Sequence, residues 1–262
     1  MINTPKDRRI IFFDIDGTLL DHNKELPQSA KQAVRTLQQQ GHETVLASGR
    51  SPFMLSKLAE ELRIDSYVSF NGQYVVMKGE KIYTNPFSRE ALSDLSGFAA
   101  QSGHPLVYLD HEKMSCSAIA HPDVEQSISS LEHGLPEYDP DFYLGRDIYQ
   151  TMLFCKEPED VAYREQFPNL SFVRWHALSL DVLPAGGSKA NGIAQMIGKL
   201  GFTPEEAYAF GDNLNDVEMF AYVGHSVAMG NSPDSVKQLA KYVTSDVAQD
   251  GIAQGLRMVG LL

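Results

Sequence analysis

The chain has 262 residues, 43% of them hydrophobic and 21% charged, and a formal net charge of −12. That length holds one large domain or two modest ones with a sizeable core. The negative balance repels phosphodiester backbones, so no nucleic-acid partner is expected, and any phosphate site must carry local positive charge or a metal. Ile10 to Phe13 is a short run apolar on both faces, which predicts a central parallel strand ending at Asp14. Pro27 to Gln40 carries Ala30, Ala33, Val34 and Leu37 at helical spacing, with Gly41 as a stop. A strand over Glu43 to Ala47, a helix from Pro52 to Leu62 and a strand around Tyr67 to Phe70 complete a β-α-β-α-β order, the mark of a doubly wound sheet.

The pattern then changes. Between Ile82 and Pro184, strand-like runs (Leu106 to Leu109, Met114 to Ala118, Thr151 to Phe154, Leu170 to Arg174, Leu178 to Leu183) surround two helical segments, Ser88 to Ser102 and Pro122 to Glu132. Strands next to strands imply hairpins and an α+β unit. After Gly186-Gly187 the alternation returns, with helices over Lys189 to Leu200, Asn215 to Ala221 and Pro233 to Leu239, and strands at Ala207 to Phe210 and Ser226 to Met229. The expected fold is therefore α/β: a doubly wound, mainly parallel Rossmann-like core over 1–82 and 187–262, interrupted by an inserted α+β cap over 83–186.

Cys116 and Cys155 fit no metal or redox spacing and read as reduced thiols. The apolar run near the N-terminus is broken after about four residues by Asp14 and Asp16, too soon for a signal peptide, and no stretch approaches the ~18 apolar residues of a membrane span. A cytoplasmic protein with no membrane partner, as monomer or homodimer, is expected.

Three predicted strands end in chemistry. In open parallel sheets, ligands bind beyond the carboxyl ends of the strands. FFDIDGTLL at 12–20 places Asp14 and Asp16 there, with Gly17 allowing a sharp turn and Thr18 able to help cap the next segment. Two carboxylates this close repel unless a cation joins them, and carboxylates suit Mg²⁺. GDNLND at 211–216 repeats the arrangement, with Asp216 one helical turn beyond Asp212. Ser48, in ASGR, offers a hydroxyl and neighbouring amides for phosphate oxygens. Lys189 opens a helix, where the dipole opposes its charge, which hints at a nearby anion. Taken singly, each residue has an ordinary alternative: helix caps for the acids and Ser48, and a surface position for Lys189.

Together and in this order, DIDGT, ASGR, Lys189 and GDNLND resemble the haloacid dehalogenase-like phosphatases, nearest the Cof-type branch with its larger inserted cap. The resemblance covers nearly the whole chain. It implies Asp14 as the nucleophile and Asp16 as the general acid and base. It implies a Mg²⁺ site from the Asp14 side chain, the Asp16 carbonyl and Asp212, supported by Asp216. Asn215, Ser48 with Gly49, and Lys189 would face phosphate, with Arg50 a further candidate, and Asn71-Gly72 would lie at the edge of the site. The family pattern often has threonine where Ser48 stands; the hydroxyl is kept. The implied substrate is a small phosphate ester such as a sugar phosphate. The cap is expected to choose it, with Arg146, Arg174, Trp175 and His176 as the candidate contacts; packing or a surface position is the ordinary alternative for a lone His or Trp. A phosphomutase, a catalytically silent phosphate-binding protein and a phosphorylated signalling receiver are the alternatives. The last leaves Asp16 and the inserted unit without a role.

Overall fold

The computed structural model describes residues 8–129, 131 and 134–262. The expected end of the helix at Glu132 lies outside these residues, as do the first seven residues. The chain divides into two compact units. The first comprises residues up to Gly49, Ser56–Tyr83 and Ser188–Leu262; the second comprises Arg50–Leu55 and Thr84–Gly187.

In chain order the elements before the insertion are β1 (Ile10–Phe13), α1 (Gln28–Gln39), β2 (Glu43–Ala47), α2 (Pro52–Leu62), β3 (Tyr67–Ser69), β4 (Tyr74–Met77) and β5 (Glu80–Thr84). The insertion holds α3 (Arg89–Ser102), β6 (Leu106–Leu109), β7 (Met114–Cys116), α4 (Pro122–Ser129), β8 (Glu137–Tyr138), β9 (Gln150–Leu153), α5 (Asp160–Gln166), β10 (Ser171–His176) and β11 (Ser179–Leu183). The chain then returns through α6 (Lys189–Leu200), β12 (Ala207–Gly211), α7 (Val217–Tyr222), β13 (His225–Ala228), α8 (Asp234–Lys237), β14 (Tyr242–Val243) and α9 (Gly251–Met258).

The first unit is built on an eight-stranded sheet ordered β14-β13-β12-β1-β2-β3-β4-β5 among the described residues. It is parallel from β14 to β3, while β4 returns antiparallel to β3. β1 is central, so both of its faces are covered. Ile10 and Phe12 pack with Ile193, Met196 and Ile197 of α6 and with Met219 and Phe220 of α7. On the other face Phe13 stacks on Phe210, and α9 comes so close to Phe210 that a Cβ at Gly255 would meet the ring at 2.6 Å. Helices on both faces explain why β1 shows no polar alternation. Each fully buried side chain of this kind stabilises the fold by about 1.5–3 kcal/mol.

The register fixes where the loops emerge. Phe13 pairs with Phe210 on one side and Leu46 on the other, and the Asp14 N–H continues the ladder to the Phe210 carbonyl at 2.9 Å. The segments after β1, β2 and β12 therefore leave the sheet side by side at its carboxyl edge.

Among the described residues the second unit carries a six-stranded sheet, β10-β11-β9-β6-β7-β8, antiparallel except for the β7–β8 pair. One face packs Leu106, Tyr108, Leu153, Leu180 and Val182 against Leu92, Leu95 and Ala99 of α3 and Tyr163 of α5. Ser88 caps α3 by accepting the Ala91 N–H at 3.1 Å, and Gly103 ends it in the left-handed region. Strand alternation puts Asp181, between Leu180 and Val182, on the opposite face. It is 8% exposed, and among the described residues no hydrogen-bond donor meets its Oδ1. Burial pushes its pKa up to about 8, and the nearby Trp175 indole offsets only part of the rise.

This buried acid ties stability to pH. Its folded value is raised above the unfolded ~3.9, so the stabilisation it carries is complete below that value and is lost as pH rises through the folded one. Relative to wild type, Asp181→Asn is expected to gain about 1 kcal/mol per pH unit between pH 5 and 8. Urea unfolding at both pH values measures this; a constant difference between the two proteins would refute it.

Candidate active site

The carboxyl edge of the first unit gathers three of the predicted acids around one buried ammonium, that of Lys189. Lys189 is fully buried, and its Nζ lies 2.6 Å from Asp14 Oδ1 and 2.6 Å from Asp216 Oδ1. The second Asp216 oxygen accepts the N–H groups of Asp212 at 2.9 Å and Asn213 at 3.0 Å. Both Asp216 oxygens are thus engaged, and the acid folds the GDNLND turn around itself. Gly211 makes room for this, since a Cβ there would stand 2.5 Å from the Asp216 carboxyl carbon.

Asp14, Asp212 and Asp216 each offer an oxygen within 4.8 Å of the others. Three carboxylates facing one ammonium leave negative charge in excess, and the titration behaviour reflects it. Burial pushes the Asp14 pKa well above the carboxylate range; Lys189 opposes the shift, while Asp216 and Asp212 add to it. Asp212 is pushed up to about 7 by burial and by the Asp216 charge. For Lys189, burial works against the charge, but Asp14 and Asp216 outweigh it and hold the ammonium above its ordinary value. Clustered hard oxygen donors with residual negative charge suit a divalent cation.

Lys189 is no surface lysine. Ser188 caps α6 by accepting the Asn191 N–H at 3.3 Å, and the side chain of the first helical residue turns inward. The entry of α6 presses on the turn after β3: a Cβ on Gly72 would lie 1.9 Å from the Ser188 carbonyl oxygen. That turn also holds the remaining predicted loops. Asn71, left-handed at φ 50°, donates its N–H to the Ser48 carbonyl at 3.0 Å and accepts from the Asn215 amide at 3.2 Å. A Cβ on Gly49 would meet the Asn71 amide at 3.0 Å. Hydrogen bonds thus link Ser48, Asn71 and Asn215, with Gly49 packed closely on the Asn71 amide.

Other residues stand apart from these expectations. The Asp16 carboxylate is not in the acid cluster; it pairs with Lys24 at 2.6 Å, its side chain 40% exposed. Asp21 shapes that loop by accepting the N–H groups of Asn23 and Glu25, and Lys24 is left-handed at φ 61°. Thr18 caps no helix; its hydroxyl reaches Asp212 Oδ1 at 3.4 Å. Arg50 falls in the second compact unit. There, Arg146 is committed to Asp110 and lies over the Phe142 ring. Arg174 donates to the Cys155 carbonyl and pairs with Asp160 and Glu157. His176 Nδ1 meets the Ser127 hydroxyl at 3.0 Å. Sequence reasoning also missed Asn231, whose amide donates to the Gly17 carbonyl at 2.8 Å and to Asp212 Oδ2 at 3.4 Å. The available signal was another polar residue soon after a strand end, in Met229-Gly230-Asn231.

Removing Lys189 leaves buried carboxylates without their cation, a change that costs about 3–5 kcal/mol. Lys189→Met is therefore expected to be strongly destabilised at pH 8. The deficit should shrink at pH 5, because an Asp14 whose pKa is already raised and has lost its ammonium takes up a proton more readily. Denaturant titration at the two pH values checks this; a deficit that grows toward pH 5 would contradict the charge balance described.

Comparison with known proteins agrees with this geometry. The family model of haloacid dehalogenase-like hydrolases matches residues 11–256. YkrA of Bacillus subtilis (strain 168), named as a phosphatase, is 47% identical over 256 residues, spanning 98% of this chain and 99% of YkrA. A crystal structure of a hypothetical protein from Geobacillus kaustophilus HTA426 superposes with a TM-score of 0.93 at 50% identity, covering 97% of this chain and all of that one (100%). BT4131, described as a subclass IIB sugar phosphatase, superposes at 0.87 with 28% identity over 97% of this chain and 100% of its own. With a family model along most of its length and a phosphatase relative matched from end to end, the chain belongs to the haloacid dehalogenase-like hydrolases, as a phosphatase.

Proposed function

We propose that this phosphatase hydrolyses small phosphomonoesters, such as sugar phosphates, in two steps through an aspartyl-phosphate on Asp14, with Mg²⁺ as cofactor. The observation that carries the reading is the Asp14 carboxylate, held by Lys189 at the end of the central strand beside Asp212. Attack by a carboxylate on a phosphate dianion is repulsive until charge is neutralised. Lys189 supplies one positive charge. Asp14, the Asp16 carbonyl and Asp212 would hold Mg²⁺, with Asp216 as support, and the metal would supply further charge neutralisation when bound.

In the first step an Asp14 oxygen bonds to phosphorus, the ester bond breaks, and Asp16 gives its proton to the leaving alkoxide. In the second, Asp16 takes a proton from water as the water oxygen attacks phosphorus, and Asp14 is released with inorganic phosphate. Asp16 must exchange Lys24 for the substrate to do this, and a half-exposed ion pair of this kind costs little to break. Ser48, the amide of Gly49 and Asn215 orient phosphate oxygens, with Arg50 a further contact. The inserted unit chooses the leaving group. With Arg146 and Arg174 held in ion pairs and His176 Nδ1 held by Ser127 and the Leu178 N–H, Trp175 is the candidate cap residue left for that task. The name of BT4131 supports a sugar phosphate as the substrate class. A cytoplasmic location accords with two free, buried cysteines.

EDTA should abolish turnover and excess Mg²⁺ restore it; full activity in a chelated, metal-free sample would remove the proposed cofactor. The two aspartates separate in a second experiment. Asp14→Asn should form no phosphoenzyme with any ester. Asp16→Asn, given an aryl phosphate with a good leaving group, should still be phosphorylated but hydrolyse slowly, so the acyl phosphate accumulates. Rapid quenching and intact-protein mass spectrometry, with peptide mapping, would find it on Asp14. Normal turnover by Asp14→Asn would overturn the mechanism, and transfer of phosphate to a second hydroxyl would identify a mutase.

A further inference from the structure

Asn231 lies just beyond β13 and joins three separate stretches of the first unit. Its Oδ1 accepts the Val247 N–H at 3.0 Å, which fixes the orientation of the amide and turns the NH₂ group toward acceptors. That group donates to the Gly17 carbonyl at 2.8 Å and to Asp212 Oδ2 at 3.4 Å. The other Asp212 oxygen receives the Thr18 hydroxyl at 3.4 Å. Each oxygen of the acid thus has its own neutral donor, and both donors are tied to the 16–18 turn.

The approach of the two loops is close. Gly17 sits at φ +77°, and a Cβ there would lie 2.3 Å from Asp212 Oδ2. The backbone that carries Asn231 is equally constrained. The Met229 N–H donates to the Gly211 carbonyl at 2.9 Å, and the Gly230 N–H to the Ser245 carbonyl at 2.9 Å. A Cβ at Gly230 would stand 2.4 Å from the Asp246 nitrogen. Asn231 therefore projects from a braced loop.

We infer that Asn231 is a positioning residue that sets the divalent-cation affinity of the acid cluster, by locking the Asp212 carboxylate to the turn that carries Asp16 and Gly17. This rests on the proposed Mg²⁺ site. Hydrogen bonds to a ligating carboxylate from outside the metal's own shell hold its orientation, and their loss typically weakens metal binding 10- to 100-fold.

The test uses the full chain without substrate. Calorimetric titration with MgCl₂ gives Kd for wild type and for Asn231→Ala, and thermal unfolding gives the Mg²⁺-induced rise in Tm of each protein above its own metal-free value. Asn231→Ala is expected to raise Kd about tenfold or more and to shrink the rise in Tm. Ser245→Ala removes a 2.6 Å bond to Gln254 from the neighbouring loop after β14, which braces Gly230, and should leave Kd within about twofold of wild type. Asn231→Ala binding Mg²⁺ as tightly as wild type would overturn the inference while leaving the proposed Mg²⁺ site intact. Equal weakening in both variants would overturn it too, since loop packing alone would then account for the effect. Wild type that binds no Mg²⁺ would remove the proposed site and the inference with it. If Asn231→Ala does not fold, Asn231→Ser is judged by the same criteria.

Discussion

Everything at the carboxyl edge of the large sheet is arranged around one buried ammonium. Lys189 has no exposed surface, so its charge must be met inside the protein, and Asp14 and Asp216 meet it at 2.6 Å each. A buried ion triad of this kind contributes little net stability, because desolvation consumes most of the Coulombic gain. Its effect is to fix positions. It pins the start of α6 to the end of β1 and to the turn after β12, and the second Asp216 oxygen organises that turn through two backbone N–H groups. Burial, with the charge of the neighbouring acids adding to it, raises the pKa of Asp14 and Asp212, and that uncompensated negative charge makes the cluster receptive to a divalent cation.

The glycines around the triad serve close approach. Gly72 lets the turn after β3 lie against the Ser188 carbonyl, and Gly211 lets the Asp216 carboxylate fold back over its own strand end. Backbone strain accompanies this packing. Phe70 and Asn71 are consecutive left-handed residues at φ 51° and 50°, buried where the loops from β2, β3 and β12 meet. Strain of this kind costs about 1–3 kcal/mol per residue and persists only where the surroundings over-determine it.

Much of this was legible in the sequence, and the reasons differ by element. β1 and β12 read clearly because both faces are buried and neither run holds a charge, and β2 because Glu43 and Thr44 lead into the buried apolar run Val45 to Ala47. The helix over Pro52–Leu62 matches residue for residue. The β4–β5 hairpin was missed: β5, Glu80–Thr84, is exposed to half-buried along its length and gives no apolar run. α9 was missed because Gly251 and Gly255 interrupt its periodicity, yet Gly255 is what lets that helix reach Phe210. β8 and β14 are two residues long, below any periodic signal. At the site, residues that follow apolar strands were found. The partners that decide what each residue does were not, because they are remote in sequence: Asp110 for Arg146, Asp160 for Arg174, Asp212 for Asn231.

The order of strands across the large sheet has a consequence for how the chain acquires its shape. β1 is flanked by β2, only some thirty residues away, and by β12, whose pairing spans Ile10 to Ala207. The sheet of the second unit draws all its strands from one continuous stretch, Thr84–Gly187. During synthesis that stretch can close on itself as soon as it emerges, while β1 waits beside β2 with its other edge open. Closing so long a loop is entropically slow, and an open apolar edge invites wrong pairing meanwhile. The insertion makes the central strand the first part of the sheet to be made and among the last to be enclosed. The buried charges at its end can assemble only when Ala207–Gly211 arrives.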